Sequence, residues 1–217
     1  MSSPAVQGPS STVIRAALGR RGFTFVELIV VMAVLTVVAG LVLYKAGDTT
    51  AQTRVDATVA SAISVRDAIC GTQGAPGFLN DLGEIPIRLA DLFDQPLALP
   101  SGKPVQPFDR FTGRGWHGPY LMRNTGRYQV AAPFGFTGFY GQDGDPAVID
   151  PWGRPIVLQW PIVPAIPLDA RQSFVRLVSA GPDGVLNTPS NVLAPDLNDP
   201  TQVGDDVVVY LFRANGP

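Results

Sequence analysis

Few side chains in this sequence have chemistry to offer beyond packing. Glu27 is a carboxylate five residues into an apolar run that starts at Phe23. Asp183 follows a Gly-Pro pair and precedes Gly184, while Asp205 and Asp206 stand side by side after Gly204. His117 and Cys70 are the single members of their types. One histidine excludes His-rich metal sites, and no nucleophile lies at a recognisable spacing from it. "LVSAGPDG" (Leu177 to Gly184) is not the Gly-x-Ser-x-Gly turn of a serine nucleophile. Paired acids can serve hydrolysis, but Asp205 and Asp206 are neighbours, and neighbouring side chains in a strand point apart. An enzyme would need a catalytic constellation that these residues lack, and the chain is expected not to be an enzyme. Cys70 has no partner for an internal disulfide and reads as a small buried apolar residue, with a reactive thiol as the alternative. Glu27 is the oddity, because a carboxylate inside a membrane helix costs about 2–3 kcal/mol even on lenient insertion scales.

The elements that must carry these residues follow from the hydrophobic pattern. Residues 1–22 hold only Arg15, Arg20 and Arg21 as charged side chains. Leu28 to Tyr44 has neither charge nor proline, and counted from Phe23 the apolar run is long enough, at about 1.5 Å per residue, for a bilayer core of roughly 30 Å. No small-residue cleavage site follows the run, so it is not an ordinary secretory signal. The preceding positive charges predict a cytoplasmic N-terminus with the remainder across the membrane. Beyond Lys45, Val55, Val59, Ala62, Ile63, Ile69 and Cys70 fall on one helical face, with Gly71 or Gly74 as a stop. Phe23 to about Gly71 reads as one helix on the order of 70 Å long.

A short second helix is expected late in Leu79 to Phe93, before Pro96. After it, "RYQVAAP", "RPIVLQW", "SFVRLVSA" and "DVVVYLF" read as strands bounded by turn residues. The 21 prolines and 23 glycines suit short strands and many loops. The fold class expected is α+β, a long N-terminal helix packed on a small antiparallel sheet. A net charge of −2 with no lysine- or arginine-rich block gives no reason to expect a nucleic-acid partner.

The stretch Arg20-Arg21-Gly22, then Phe23-Thr24-Phe25-Val26-Glu27-Leu28, closely resembles the N-terminal signature of type IV pilins and pseudopilins. The resemblance implies a pilin-like fold, cleavage by a prepilin peptidase between Gly22 and Phe23, and methylation of the new Phe23 amine. It divides the chain into a leader (1–22), a transmembrane and filament-core helix (23–46) and a periplasmic globular domain (47–217). Physics then gives Glu27 a task. In a bundle of staggered copies it meets the Phe23 amine of a neighbour, and removing one partner of such a buried pair costs roughly 3–5 kcal/mol. The pair enforces the stagger, and it does not exist until the leader is removed.

"WHGPYL" (Trp116 to Leu121), "DPWGRPIVL" (Asp150 to Leu158), "LVSAGPDGVLNT" (Leu177 to Thr188) and "GDDVVVYL" (Gly204 to Leu211) occur in that order. The series looks like the major pseudopilin of the type II secretion system. In "DPWG", Pro151 presets a turn and Trp152 is expected to be a large apolar anchor. The resemblance implies a calcium ion held by Asp183, Asp205 and Asp206 with main-chain carbonyls, and calcium takes about six to eight hard oxygens. This sequence departs from the family in the interval from Gly184 to Gly204, which is much longer here. Asp196 and Asp199 in that interval replace or supplement the ligands, or the interval is a solvated acidic loop or a partner contact. A second departure is the absence of proline near "GLVLYKAGD" (Gly40 to Asp48), where glycine weakens a helix less than proline does. The implied partners are other copies of the chain in a homopolymeric filament, the prepilin peptidase, minor pseudopilins and an inner-membrane secretion platform. A type IV or competence pilin is the alternative, although a single cysteine cannot form the C-terminal disulfide common in pilins.

Overall fold

The computed structural model describes residues 23–122 and 126–212, and for 41–49 the backbone alone. Two compact units divide at Gly47 and Asp48. Helix α1, Phe25–Cys70, contributes to both. In the first unit its described apolar side chains, Phe25 to Val38, are exposed around the whole circumference. Such a surface is stable only against lipid or other apolar surface.

In the second unit α1 has one buried stripe, Thr58, Ala62, Val65 and Ile69, spaced by four, three and four residues. Of the expected apolar face only Ala62 and Ile69 are fully buried, Val55, Val59, Ile63 and Cys70 are half-buried, and Val65 and Thr58 join the stripe from outside it. Thr58 is tolerated there because its hydroxyl donates to the Arg54 carbonyl at 2.9 Å. Cys70 is half-buried against the same core, and burial pushes its thiol above the usual range. The helix stops at Gly71, whose φ is 81°. A Cβ there would lie 2.8 Å from the Gly77 amide nitrogen, so the chain turns back tightly only because residue 71 has no side chain.

Helix α2, Phe78–Leu82, and a 3-10 turn, Leu89–Leu92, follow. The helix expected late in this stretch is the 3-10 turn, held by Asp91 Oδ2, which accepts from the Ile87 and Arg88 amides at 3.1 and 3.0 Å, and α2 at its start was not expected. Strands β1 (Gly126–Arg127) and β2 (Pro146–Ala147) form a two-stranded ladder. Strands β3 (Val157–Gln159), β4 (Arg176–Ser179) and β5 (Val207–Tyr210) form an antiparallel meander in that order. Helices α3 (Leu168–Arg171) and α4 (Pro200–Val203) are single turns in the intervening connections. The architecture is α+β and pilin-like. "RYQVAAP" is the exception among the expected strands. Arg127 alone joins a strand, Ala131 makes a single bridge to Phe136, and Ala132–Phe134 is a 3-10 turn ending at Gly135.

The period of two assigns the sheet its two faces. Leu158, Leu177 and Val209 are cross-strand partners and pack with Ala62, Val65 and Ile69 of α1. On the opposite face, Val157, Val178 and Val208 meet Tyr128 and Phe136. The next rung of that face is Gln159, Arg176 and Tyr210.

Candidate functional site

Helix α1 starts with a cap that its own residues supply. Thr24 precedes the first helical residue, and its Oγ1 accepts from the Glu27 amide at 3.2 Å while its carbonyl accepts from the Leu28 amide at 3.1 Å. A threonine at this position satisfies one of the helix's unpaired amides and contributes about 1 kcal/mol. Thr24-Phe25-Val26-Glu27 has the Thr-x-x-Glu spacing of a capping box, a signal legible in the sequence, and its threonine half is formed. Glu27 therefore lies in the first helical turn, where a negative charge is favoured by the helix dipole. Its side chain is exposed, as are Phe23 (79%) and Phe25 (76%). Gly22, Arg20 and Arg21 lie outside the described residues. Among the described residues no helix is long and apolar enough to cross a membrane. The expected span includes residues 41–46, whose side chains are outside that description.

The predicted acidic ligands lie at the two ends of the connection between β4 and β5, where Asp183 and Asp205 are hydrogen-bonded. Gly181 has φ 58°, and a Cβ on it would come within 2.3 Å of the Asp205 carbonyl oxygen, so its bareness brings the two segments together. The Asp183 amide donates to Asp205 Oδ2 at 2.9 Å, and Asp183 Oδ1 accepts from the Val185 amide at 2.7 Å. Asp206 Oδ2 accepts from the Asn187 and Thr188 amides at 2.9 and 2.6 Å. Asp206 Oδ1 is buried without a donor. Burial pushes this carboxyl up to about 6, with the Asp205 charge acting in the same direction and the Thr188 and Asn187 donors pulling back.

The donor chemistry suits a hard cation such as calcium, and Asp206 Oδ1 is the oxygen that lacks a positive partner. Among the described residues, however, no group of three or more His, Cys, Asp and Glu side chains is close enough to hold an ion. Carbonyls or water would have to complete a shell around these acids. Asp196 and Asp199 are engaged elsewhere. Asp196 Oδ1 accepts from the Asn198 amide at 2.9 Å, and Asp199 caps α4 by accepting from the Thr201 amide at 2.9 Å and from the Gln202 side chain at 3.0 Å.

Two groups hold this loop that the sequence pattern did not single out. Asp150, 4% exposed, accepts from the Trp152 and Arg154 amides, each at 2.9 Å, and from Ser179 Oγ at 2.6 Å. That turn aims Arg154 at the Gly184 carbonyl, 3.0 Å away. Trp152, expected to be the anchor of the Asp-Pro-Trp-Gly turn, is only half-buried and packs on neither core cluster. The anchor is the aspartate, and Trp116 and Trp160 are the tryptophans that pack on the core.

The second group is Arg176, buried completely. Its Nε donates to Gln159 Oε1 at 2.6 Å, Nη2 to the Pro189 carbonyl at 2.6 Å and Nη1 to the Leu193 carbonyl at 2.9 Å; both Nη reach the Val192 carbonyl. Gln159 Nε2 adds the Thr188 carbonyl and Tyr140 Oη, each at 3.0 Å. Burial pulls the guanidinium below its usual range, and Tyr210 beside it works against that. The long interval after Gly184 is thus pinned from beneath by the polar rung of the sheet. His117 takes no part in either site; it stacks on Phe108 with ring centroids 4.2 Å apart.

Against known families, the prokaryotic N-terminal methylation motif matches residues 18–43. No curated protein and no solved structure matches the chain. The motif supports a type IV pilin-like subunit, and implies processing by a prepilin peptidase and filament assembly.

Proposed function

We propose that the chain is the major-type subunit of the periplasmic pseudopilus of a type II secretion system, a structural protein and not an enzyme. The observation that carries the filament part is the start of α1. An exposed glutamate in a capped first turn lies four residues after Phe23, ahead of a helix whose described apolar side chains are exposed on every side. Cleavage after Gly22 creates a cationic, then methylated, Phe23 amine, and Glu27 of an adjacent copy receives it in the low-dielectric bundle. Before assembly the apolar half of α1 anchors the subunit in the inner membrane with its globular unit in the periplasm. The pseudopilus is favoured over a pilus by the order of the Gly-Pro-Tyr-Leu, Asp-Pro-Trp-Gly and Asp-Gly motifs and the closing acid pair. The hydrogen bonds that join Asp150, Arg154, Gly184 and Asp205 into one region add support. Calcium at Asp183, Asp205 and Asp206, completed by main-chain carbonyls, belongs to the same reading, with the unpartnered Asp206 Oδ1 as its support. Minor pseudopilins and the inner-membrane platform are the further partners.

The test is co-expression of the full chain with a prepilin peptidase. Mass spectrometry is expected to show loss of residues 1–22 and one added methyl group, and sheared fractions to contain filaments. Glu27→Ala is expected to leave insertion and cleavage intact and to abolish the filaments. Normal filaments from that variant would refute the pairing.

A further inference from the structure

The globular unit displays a knob and, elsewhere on its surface, a hollow of complementary chemistry. The knob is the turn from Asp109 to Arg114. The Asp109 amide donates to the Arg114 carbonyl and the Gly113 amide to the Asp109 carbonyl, each at 2.8 Å. The Asp109 carboxylate ties the tip by accepting from the Phe111 amide at 2.9 Å and the Thr112 hydroxyl at 3.0 Å. Phe111 stands at that tip, 101% exposed, with exposed Arg110 and Arg114 beside it. The ion pairs among the described residues, Arg66–Asp67 and Arg88–Asp145, use neither arginine. A braced turn that holds a phenyl ring wholly in water contributes nothing to its own core. The ring is free to fill another surface.

The hollow lies beside the edge strand β3. Ile87, Phe139, Leu158, Trp160, Ile162 and Leu168 line a space of about 290 Å³. It adjoins a second space of about 370 Å³ that shares Trp160 and Leu168, and whose charged lining residues are Glu84 and Asp169. The Trp160 indole is fixed by donating to the Pro86 carbonyl at 3.0 Å, so the wall is preformed. Glu84 already accepts from Ser101, through its amide and its hydroxyl, whereas Asp169 is exposed.

We propose that Phe111 of one copy inserts into the Trp160 hollow of the next copy, with Arg110 facing Asp169. The occupant is a second copy because this chain itself carries the aromatic knob with two cations and the apolar hollow with two carboxylates. An aromatic anchor in a preformed pocket supplies affinity, and the flanking charges supply orientation. Knob and hollow use different residues, so one copy can meet two others, and within a filament the contact repeats head-to-tail without closing. The inference rests on the filament reading and adds to it a contact between globular units, distinct from the packing of the apolar helices.

The test uses the full chain carrying Cys70→Ala, co-expressed with a prepilin peptidase, and treatment of the sheared fraction with a short bis-maleimide. Arg114→Cys combined with Ile162→Cys in one chain, which keeps Phe111 and Arg110, is expected to give a ladder of cross-linked multimers, and either cysteine alone only background. Arg110→Glu is expected to reduce filament yield roughly tenfold, as for loss of an oriented interface charge, and Asp169→Arg in the same chain to restore it. Filaments without a ladder, cross-linking that stops at dimers, or full filament yield from Arg110→Glu would each overturn the contact while leaving the filament reading intact. Absence of filaments from the unsubstituted chain would instead overturn the filament reading, and this contact with it.

Discussion

Replacing Arg176 by methionine keeps most of the apolar volume of the side chain and removes every donor it offers. Four acceptors then lose a partner: Gln159 Oε1 and the carbonyls of Pro189, Val192 and Leu193. A buried acceptor left unmet costs roughly 1–3 kcal/mol. Val192 is 37% exposed, so water can reach its neighbourhood, and the two deep acceptors at 2.6 Å carry most of the penalty. Against this, methionine escapes the desolvation cost that a buried guanidinium bears. The net expectation is a loss of about 2–4 kcal/mol, which for a domain of this size lowers the melting temperature by roughly 5–15 °C. Differential scanning fluorimetry of the full chain in detergent reads the shift. Hydrogen exchange locates it, because the amides of Asn187 and Thr188, which donate to Asp206, are expected to exchange faster while those of β4 and β5 keep their protection. An Arg176→Met protein that melts within about 1 °C of the unsubstituted chain would refute the claim that the arginine pins this loop.

Asp206 makes stability depend on pH in the direction opposite to a salt-bridged carboxylate. Its folded pKa of about 6 lies above the ordinary value of 3.8, so between those values the folded state keeps a proton that the unfolded state has released. In chelator, stability is therefore expected to fall as pH rises from about 4 to 6.5, by about 1–2 kcal/mol once partial exposure is allowed for. Burial raises Asp91 in the same sense, so the comparison is with Asp206→Asn, which is expected to flatten the slope; equal slopes would sink the assignment. Calcium is expected to raise the melting temperature of the unsubstituted chain at neutral pH and not that of Asp206→Asn, and no response in either would remove the ion from the reading. Asp150→Ala leaves the Trp152 and Arg154 amides and the Ser179 hydroxyl without an acceptor and is expected to cost about 2–4 kcal/mol by thermal melting, with a cost under about 0.5 kcal/mol refuting its role as the anchor of the turn.

What the sequence made legible was whatever rests on apolar periodicity. The helix stop at Gly71 and the strands around Leu158, Leu177 and Val209 follow from β-branched and apolar spacing together with glycine punctuation. What it concealed were polar residues used as core. Thr58 reads as solvent-facing until its hydroxyl is seen to be satisfied by the preceding turn. Arg176 and Gln159 read as the outward positions of two strands, because single-strand alternation cannot reveal that the outer face is covered by a loop from elsewhere in the chain. Trp152 seemed the natural anchor by size, but a turn is fixed by whichever side chain accepts its amides, and that is Asp150. The acid loop was half legible. Asp183 and Asp205 are joined by a hydrogen bond, yet the amides that occupy the acids' oxygens come from backbone geometry that no residue type announces.

The Thr24 cap has a consequence for the order of events in maturation. Because the helix boundary is drawn by residues that remain in the mature chain, it does not depend on the leader. The peptide bond proposed for cleavage lies on the non-helical side of that boundary, next to Phe23, whose backbone is outside the first turn. The product then keeps the same first helical residue as the precursor. The new amine consequently appears at a set offset from Glu27, decided before the cut was made.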